Sequence, residues 1–377
     1  MMLLRGFVAA CCMLMLASAV HANETTRLHI AWSVDVDQRL PNTPLALGTP
    51  AVITTGGQSY IVLGAQDGWV HVYDMDGADV RRIRIQAPSD SGVLALSNGL
   101  VVLGDTAGLL YGVDPVKGAI QWQTQLTAGL TSAPVAIGDD FLVQTADNRV
   151  YRFSAKGEKQ WSFSGQNNTF GMYINASPLV LDSQVYVLLS NGDAVALKAG
   201  NGDVLWKQQL LLSSDSASLS ELKVPLSHPV FLPQLHLGGE KNDNVLLAPL
   251  FQGDLQVISV ADGSLLLSLP VSLKSTPVLK GRLLYMADST GYVHVYDIKK
   301  GSRLWSKKVS DTGLLGPVLW QDTLWLVDNQ GAVYQLSRQG EVKAMTRLSG
   351  HVSREPLLTS HGLLIRTERG EMMMVRP

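Results

Sequence analysis

Residues 275–305 read STPVLKGRLLYMADSTGYVHVYDIKKGSRLW. Thr276-Pro277 opens the stretch, and an apolar run follows over 282–287. A turn at Ser289-Thr290-Gly291 leads to a second apolar run over 292–296. Asp297 and Gly301 then lead to Trp305. Both runs are short, rich in Val, Leu and Tyr, and bounded by Gly, Ser or Thr, so each is predicted to be a strand. Continuous apolar runs, rather than strict alternation, predict a sheet covered on both faces.

The same unit recurs along the chain. A turn residue stands six positions before a strand end in Gly68/Asp74, Gly108/Asp114, Asn148/Ser154, Gly192/Lys198, Gly253/Ser259, Gly291/Asp297 and Gly331/Ser337, and Gly370 begins an eighth copy. Most copies start at a proline: Pro50, Pro134, Pro178, Pro229, Pro277, Pro317 and Pro356. The second copy lacks it and starts near Gly92-Val93. Four copies close on a tryptophan four residues after a glycine (Gly118/Trp122, Gly157/Trp161, Gly202/Trp206, Gly301/Trp305), and Arg81, Leu267 and Ala344 stand there in three others. A period near 40 residues with four short strands per unit predicts an all-β fold, an eight-bladed β-propeller with four antiparallel strands per blade. A sandwich does not require one punctuation eight times over, and helical solenoids need longer runs.

The eighth copy has three strands, near 356–359, 363–366 and 372–375, and no fourth. The missing strand is expected at the other end of the chain, in Leu28-His29-Ile30-Ala31-Trp32-Ser33-Val34. Pairing the two closes the ring and removes two exposed edges. Trp32 is then expected to dock as Trp122 and Trp305 dock in their own blades.

At the N-terminus, Arg5 precedes a largely apolar stretch to Val20, with small residues at Ala17-Ser18-Ala19 and Val20-His21-Ala22. This predicts a secretory signal over 1–22, cleaved after Ala22, and a single propeller domain over 23–377. Val8-Ala9-Ala10-Cys11 is the competing site, for a lipid anchor at Cys11. The two cysteines, Cys11 and Cys12, lie inside this segment, so a mature chain cleaved after Ala22 holds no disulfide or cysteine nucleophile. Its 29 bases face 32 acids, a net charge of −3, which excludes nucleic-acid binding by charge.

The Pro…Gly…Asp-x-x-x-Gly-x-x-x-Trp punctuation, fullest in 291–305 and 108–122, resembles the pyrroloquinoline-quinone-like repeat of bacterial quinoprotein propellers. Within that superfamily, the leader, the eight copies and the length resemble the BamB family, scaffolds of the outer-membrane β-barrel assembly machine. The resemblance implies partner contacts from two segments. The first is Gly165-Gln166-Asn167-Asn168-Thr169-Phe170-Gly171-Met172-Tyr173-Ile174-Asn175, leading to Ala176-Ser177-Pro178. The family's Leu-x-Leu-Arg falls on Phe170, Met172 and Tyr173, without the arginine; Ile174 adds a fourth apolar side chain. The second is Leu219-Ser220-Glu221-Leu222-Lys223-Val224-Pro225-Leu226, before Pro229-Val230. The family's paired aspartates fall on Val224 and Leu226, so the charge is gone. Phe170, Met172, Tyr173, Ile174, Glu221, Leu222, Lys223, Val224 and Leu226 are therefore the candidate partner contacts. An insertion is expected at about 211–244, and long loops on a rigid scaffold are more often functional or disordered than packed.

No Gly-x-Ser-x-Gly, His-Glu-x-x-His or phosphate loop is present. His71 and His294 share one third-strand position in blades one and six and are expected to be half-buried packing residues, not metal ligands. The run Asp74-Met75-Asp76-Gly77-Ala78-Asp79 has Ile85 where a calcium loop needs its glutamate, so it reads as a hairpin turn. No catalytic, metal-binding or cofactor-binding residue is expected. The sequence points to an exported, non-catalytic scaffold with a protein partner in the periplasm, at the outer membrane, by resemblance the central subunit of the assembly machine. It has no transmembrane segment and is expected to be a monomer within a complex. The alternatives are a periplasmic quinoprotein oxidoreductase and a paralogous scaffold or sensor propeller serving another envelope complex.

Overall fold

The computed structural model describes residues 26–37, 48–130, 132–166, 176–210, 224–237, 240–241 and 244–377. They form eight four-stranded antiparallel blades and no helix. Blade 6, the stretch quoted above, has strands Val278–Lys280, Leu283–Ala287, Tyr292–Asp297 and Ser302–Lys308. In every blade the second and third strands carry the apolar runs and are buried on both faces. The fourth strand alternates toward solvent at the outer edge.

The core is distributed. Each of eight apolar clusters spans one seam between neighbouring blades, from blades 1 and 2 round to blades 8 and 1. A blade has no core of its own and is stable only against its neighbours, which is the physical reason a propeller must close.

Closure follows the expected route. His29–Asp35 pairs antiparallel with Glu371–Arg376 and completes blade 8 beside Leu357–Thr359 and Gly362–Arg366. The tryptophans dock across the seam, on the next blade, and Trp32 does so in the same way as Trp122. Trp32 donates its indole N–H to Met75 O of blade 1 at 3.0 Å. Trp122, Trp161 and Trp206 donate likewise to Ala155, Ala199 and Val260 O, at 3.0, 2.9 and 2.9 Å. Each ring lies over a turn glycine of that next blade. A Cβ on Gly77 would fall 2.7 Å from the Trp32 ring, and one on Gly157 2.5 Å from the Trp122 ring. Both glycines also have positive φ, at 84° and 79°, so the site needs glycine for backbone and for space. Trp305 reaches Gly340 of blade 7 by its six-membered ring, with Lys307 Nζ 5.9 Å from its centroid.

The seams without tryptophan are filled in other ways. Arg81 lays its side chain over Gly118 of blade 2. At the seam of blades 7 and 8, Ala344 leaves room and Leu28, 1% exposed, packs into the same cluster. Just before it, Thr26–Arg27 adds in parallel to the outer strand of blade 7, a fifth strand in register with Ala344 and Met345. Between blades 5 and 6, Leu267 leaves a cavity of about 40 Å³ beside Leu269, Leu284, Tyr296, Ile298 and Gly301.

The stretch expected as one insertion, 211–244, is divided. Val230–Leu232 within it is the first strand of blade 5, and a small hairpin, His236–Leu237 with Glu240–Lys241, precedes that blade's second strand, Val245–Ala248.

Candidate partner-binding face

Strand order fixes which loops share a face. The turns joining second to third strands and the connections from each fourth strand to the next blade lie on one side of the ring. The two expected contact segments are both such connections, in consecutive positions. The first runs from Lys159–Ser164 of blade 3 to Leu179–Leu181 of blade 4. The second runs from Val204–Gln209 of blade 4 to Val230–Leu232 of blade 5. Phe170, Met172, Tyr173, Ile174, Glu221, Leu222 and Lys223 lie outside the described residues. The described ends of the two segments are tied together: Ser177 donates its backbone N–H to His228 Nδ1 at 2.7 Å.

Val224 is 3% exposed and makes an isolated bridge to Phe251 in the second turn of blade 5, with N–H to carbonyl distances of 2.8 and 3.3 Å. Its side chain is packed into the protein, so it anchors the end of the segment. Leu226 is half-buried. Lys274 Nζ stands 4.5 Å above the Phe251 ring. Burial lowers the Lys274 pKa, against the pull of Glu368.

The Ser177–His228 bond belongs to a longer chain of bonds around the axis. Ser177 Oγ donates to Ala133 O of the blade before, at 2.8 Å. His228 N–H donates to Thr276 Oγ1 at 3.3 Å, and Thr276 donates to Glu355 Oε1 from its hydroxyl at 3.0 Å and its backbone at 2.5 Å. All of these residues immediately precede a repeat proline: Pro134, Pro178, Pro229, Pro277 and Pro356. Proline holds its predecessor extended, which sets these side chains at one depth around the ring. Sequence reading treated the prolines as punctuation and passed over this collar.

His228 accepts at Nδ1, so its ring is neutral, and burial lowers its pKa. Burial raises the Glu355 carboxyl, which the two Thr276 bonds only partly offset. The senses are opposite. A histidine held below its unfolded value of about 6.5 gives stability that is present above that pH and lost as pH falls toward the folded value. A glutamate held above about 4.3 gives stability that is present below that pH and lost as pH rises through its folded value. The two groups oppose one another as pH falls from 7 to 5.5, and we expect the melting temperature of the parent to drop relative to that of His228→Gln over this interval. Parallel curves in thermal melts would remove His228 as the source.

The same face carries four acid partners of third-strand side chains. Asp67 meets His71 at 2.9 Å and Asp288 meets His294 at 2.9 Å. Tyr111 and Tyr334 donate to Asp105 and Asp328 at 2.7 and 3.2 Å. Burial alone would raise Asp288, but bonds from His294, the Tyr292 N–H and Thr290 hold it below the usual carboxylate range. Both histidines are buried, at 1% and 7% exposed, deeper than the half-burial expected of them. Asp74 Oδ1 accepts from the N–H groups of Asp76 and Ala78, which makes 74–79 a hairpin turn as read. Among the described residues, no three His, Cys, Asp or Glu side chains converge as a metal site.

With the fold and this face in place, comparison with known proteins decides the family. The family described as "Outer membrane protein assembly factor BamB" matches residues 66–307, from blade 1 to blade 6. The chain belongs to the BamB family. BamB of Bordetella pertussis is 24% identical over 265 residues, covering 69% of this chain and 66% of that protein. BamB of Escherichia coli K12 is 21% identical over 289 residues, covering 76% and 71%. The solved BamB of Moraxella catarrhalis superposes with a TM-score of 0.75 at 18% identity, over 93% of this chain and all of that one. A quinohemoprotein alcohol dehydrogenase from Pseudomonas putida HK5 gives 0.69 at 13% identity, over 93% and 76%. At such identities the structural likenesses speak to the propeller alone, and the BamB assignment rests on the sequence match.

Proposed function

We propose that this BamB-family chain is an exported, non-catalytic scaffold that binds a protein partner at the outer membrane during β-barrel assembly. Its action is positional. Eight interlocked seams keep the ring rigid, and a rigid ring can present connecting segments without itself rearranging. The observation that carries the reading is the pairing of the two segments: consecutive connections on one face, with their ends joined through Ser177 and His228. Aromatic residues and methionine are favoured in interface cores, and the first segment supplies Phe170, Met172 and Tyr173 beside Ile174. The second supplies Glu221, Leu222 and Lys223, with Leu226 at its described end.

The test is affinity purification of the tagged protein from envelope extract, with mass spectrometry of what accompanies it. Recovery of the central barrel-assembly subunit is expected, reduced at least tenfold in Tyr173→Asp and Leu222→Asp at unchanged melting temperature. Recovery of a different envelope complex instead would make this chain a paralogous scaffold with another client.

A further inference from the structure

The outer edge of blade 5 differs from the other seven. A fourth strand has unpaired N–H and C=O groups along its outer side, and edge strands are usually protected by charge. The other fourth strands carry charged or amide side chains, as in Asp79–Arg84, Ala119–Gln125, Ser302–Lys308 and Val342–Arg347. Leu265–Leu269 reads LLLSL and carries none. Leu265 and Leu266 are 38% and 39% exposed, and no described strand pairs outside them. Val204 and Leu205 are also exposed on the fourth strand of blade 4, as is Leu304 on that of blade 6. Behind the edge lies the 40 Å³ cavity left where Leu267 replaces a tryptophan.

The chain itself shows what such an edge accepts. On blade 7, Thr26–Arg27 adds as a fifth strand, and Leu28 then turns into the adjoining seam, where Ala344 leaves room. That arrangement combines main-chain pairing at the edge with one apolar side chain in the seam. Blade 5 offers both halves of it without an occupant from this chain among the described residues.

We propose that Leu265–Leu269 is a docking edge for an extended segment of a partner protein in which apolar and polar residues alternate. The segment adds to blade 5 as a fifth strand, and one apolar side chain enters the cavity over Leu267. Main-chain bonds supply affinity, and the alternate side chains supply selectivity. Alternation of this kind is the pattern of membrane β-strands. The choice of a partner segment as occupant therefore rests on the assembly reading above.

The test is fluorescence anisotropy of a labelled decapeptide alternating Phe and Val with Ser and Thr, titrated with the full mature protein. Binding is expected to weaken at least tenfold in Leu266→Lys, which charges the edge, and on N-methylation of the peptide's alternate amides. Leu267→Trp, which fills the cavity from within and brings an indole to Ile298 O, should also weaken it while raising the melting temperature. Ile120→Lys on blade 2 should leave binding within twofold. Absent binding, or equal loss in Leu266→Lys and Ile120→Lys, overturns the proposal. So does a dimer that Leu266→Lys dissociates, because the occupant is then a second copy. Envelope capture by the parent protein separates the two readings: intact capture by a parent that binds no peptide removes the edge and leaves the scaffold.

Discussion

Trp32→Ala is expected to destabilise the protein by about 3 kcal/mol, toward the lower end for a buried tryptophan because the ring is half-buried. That corresponds to a fall of about 4 °C in melting temperature for a chain of this size. The residue lies in the seam of blades 8 and 1, one of two seams in which the N-terminal segment packs against the C-terminal strands. Its ring packs with Val36, Ile61, Met75, Leu364 and Met374, drawn from blades 8 and 1. Its N–H is the bond to Met75 O. Removing it empties the space over Gly77 and leaves that carbonyl without its donor. Trp161→Ala makes the same lesion in a seam whose blades are covalently linked. Limited proteolysis should therefore release the N-terminal strand earlier in Trp32→Ala than in Trp161→Ala at matched melting temperature. A Trp32→Ala protein that melts within a degree of the parent would contradict closure through this seam.

Arg366→Met should cost more, about 3–5 kcal/mol. Arg366 and Asp37 are 5% and 1% exposed and pair at 2.8 Å across 329 residues of sequence. Arg366 also donates to Gly48 O at 2.8 Å, and Asp37 Oδ1 accepts the Gln66 N–H at 2.6 Å. The pair thus fastens the segment after the N-terminal strand to blades 8 and 1 together. Taking away the guanidinium leaves a carboxylate buried without its counter-charge, which is the costly change. Replacing both, as Asp37→Leu with Arg366→Met, should recover most of the loss. Denaturant melts of the two single variants and the double measure this directly. Additive losses would mean that the two residues act separately.

The repeat was legible because each blade must turn at the same places, and turns admit few residues. Gly68, Gly108 and Gly291, with the prolines, mark them, and even the exception obeys: Asn148, standing for glycine in blade 3, has a φ of 57°. The N-terminal strand was legible because the eighth copy was one strand short. The tryptophan contacts were not legible for a definite reason. Gly157 and Trp161 are four residues apart, which suggests a local pair, yet Gly157 supports Trp122 and Trp161 rests on Gly202. A contact one whole repeat away leaves no local spacing to detect. Leu28, Arg81 and Arg366 were missed because each fills its seam once, with chemistry no other blade repeats. The same holds for the collar: Ser177, His228, Thr276 and Glu355 occupy one position with four different side chains. Of the expected contact residues, Val224 proves to be an inward-facing anchor and Leu226 half-buried, and the remainder lie outside the described residues.

The most direct measurement is photo-crosslinking in the envelope from a benzoylphenylalanine placed at Leu226, on the face of the connecting segments, and at Lys299, in a turn of the opposite face. The account predicts an adduct with the central barrel-assembly subunit from position 226 and none from 299. An adduct from 299 alone would place the partner on the wrong side of the ring and contradict it.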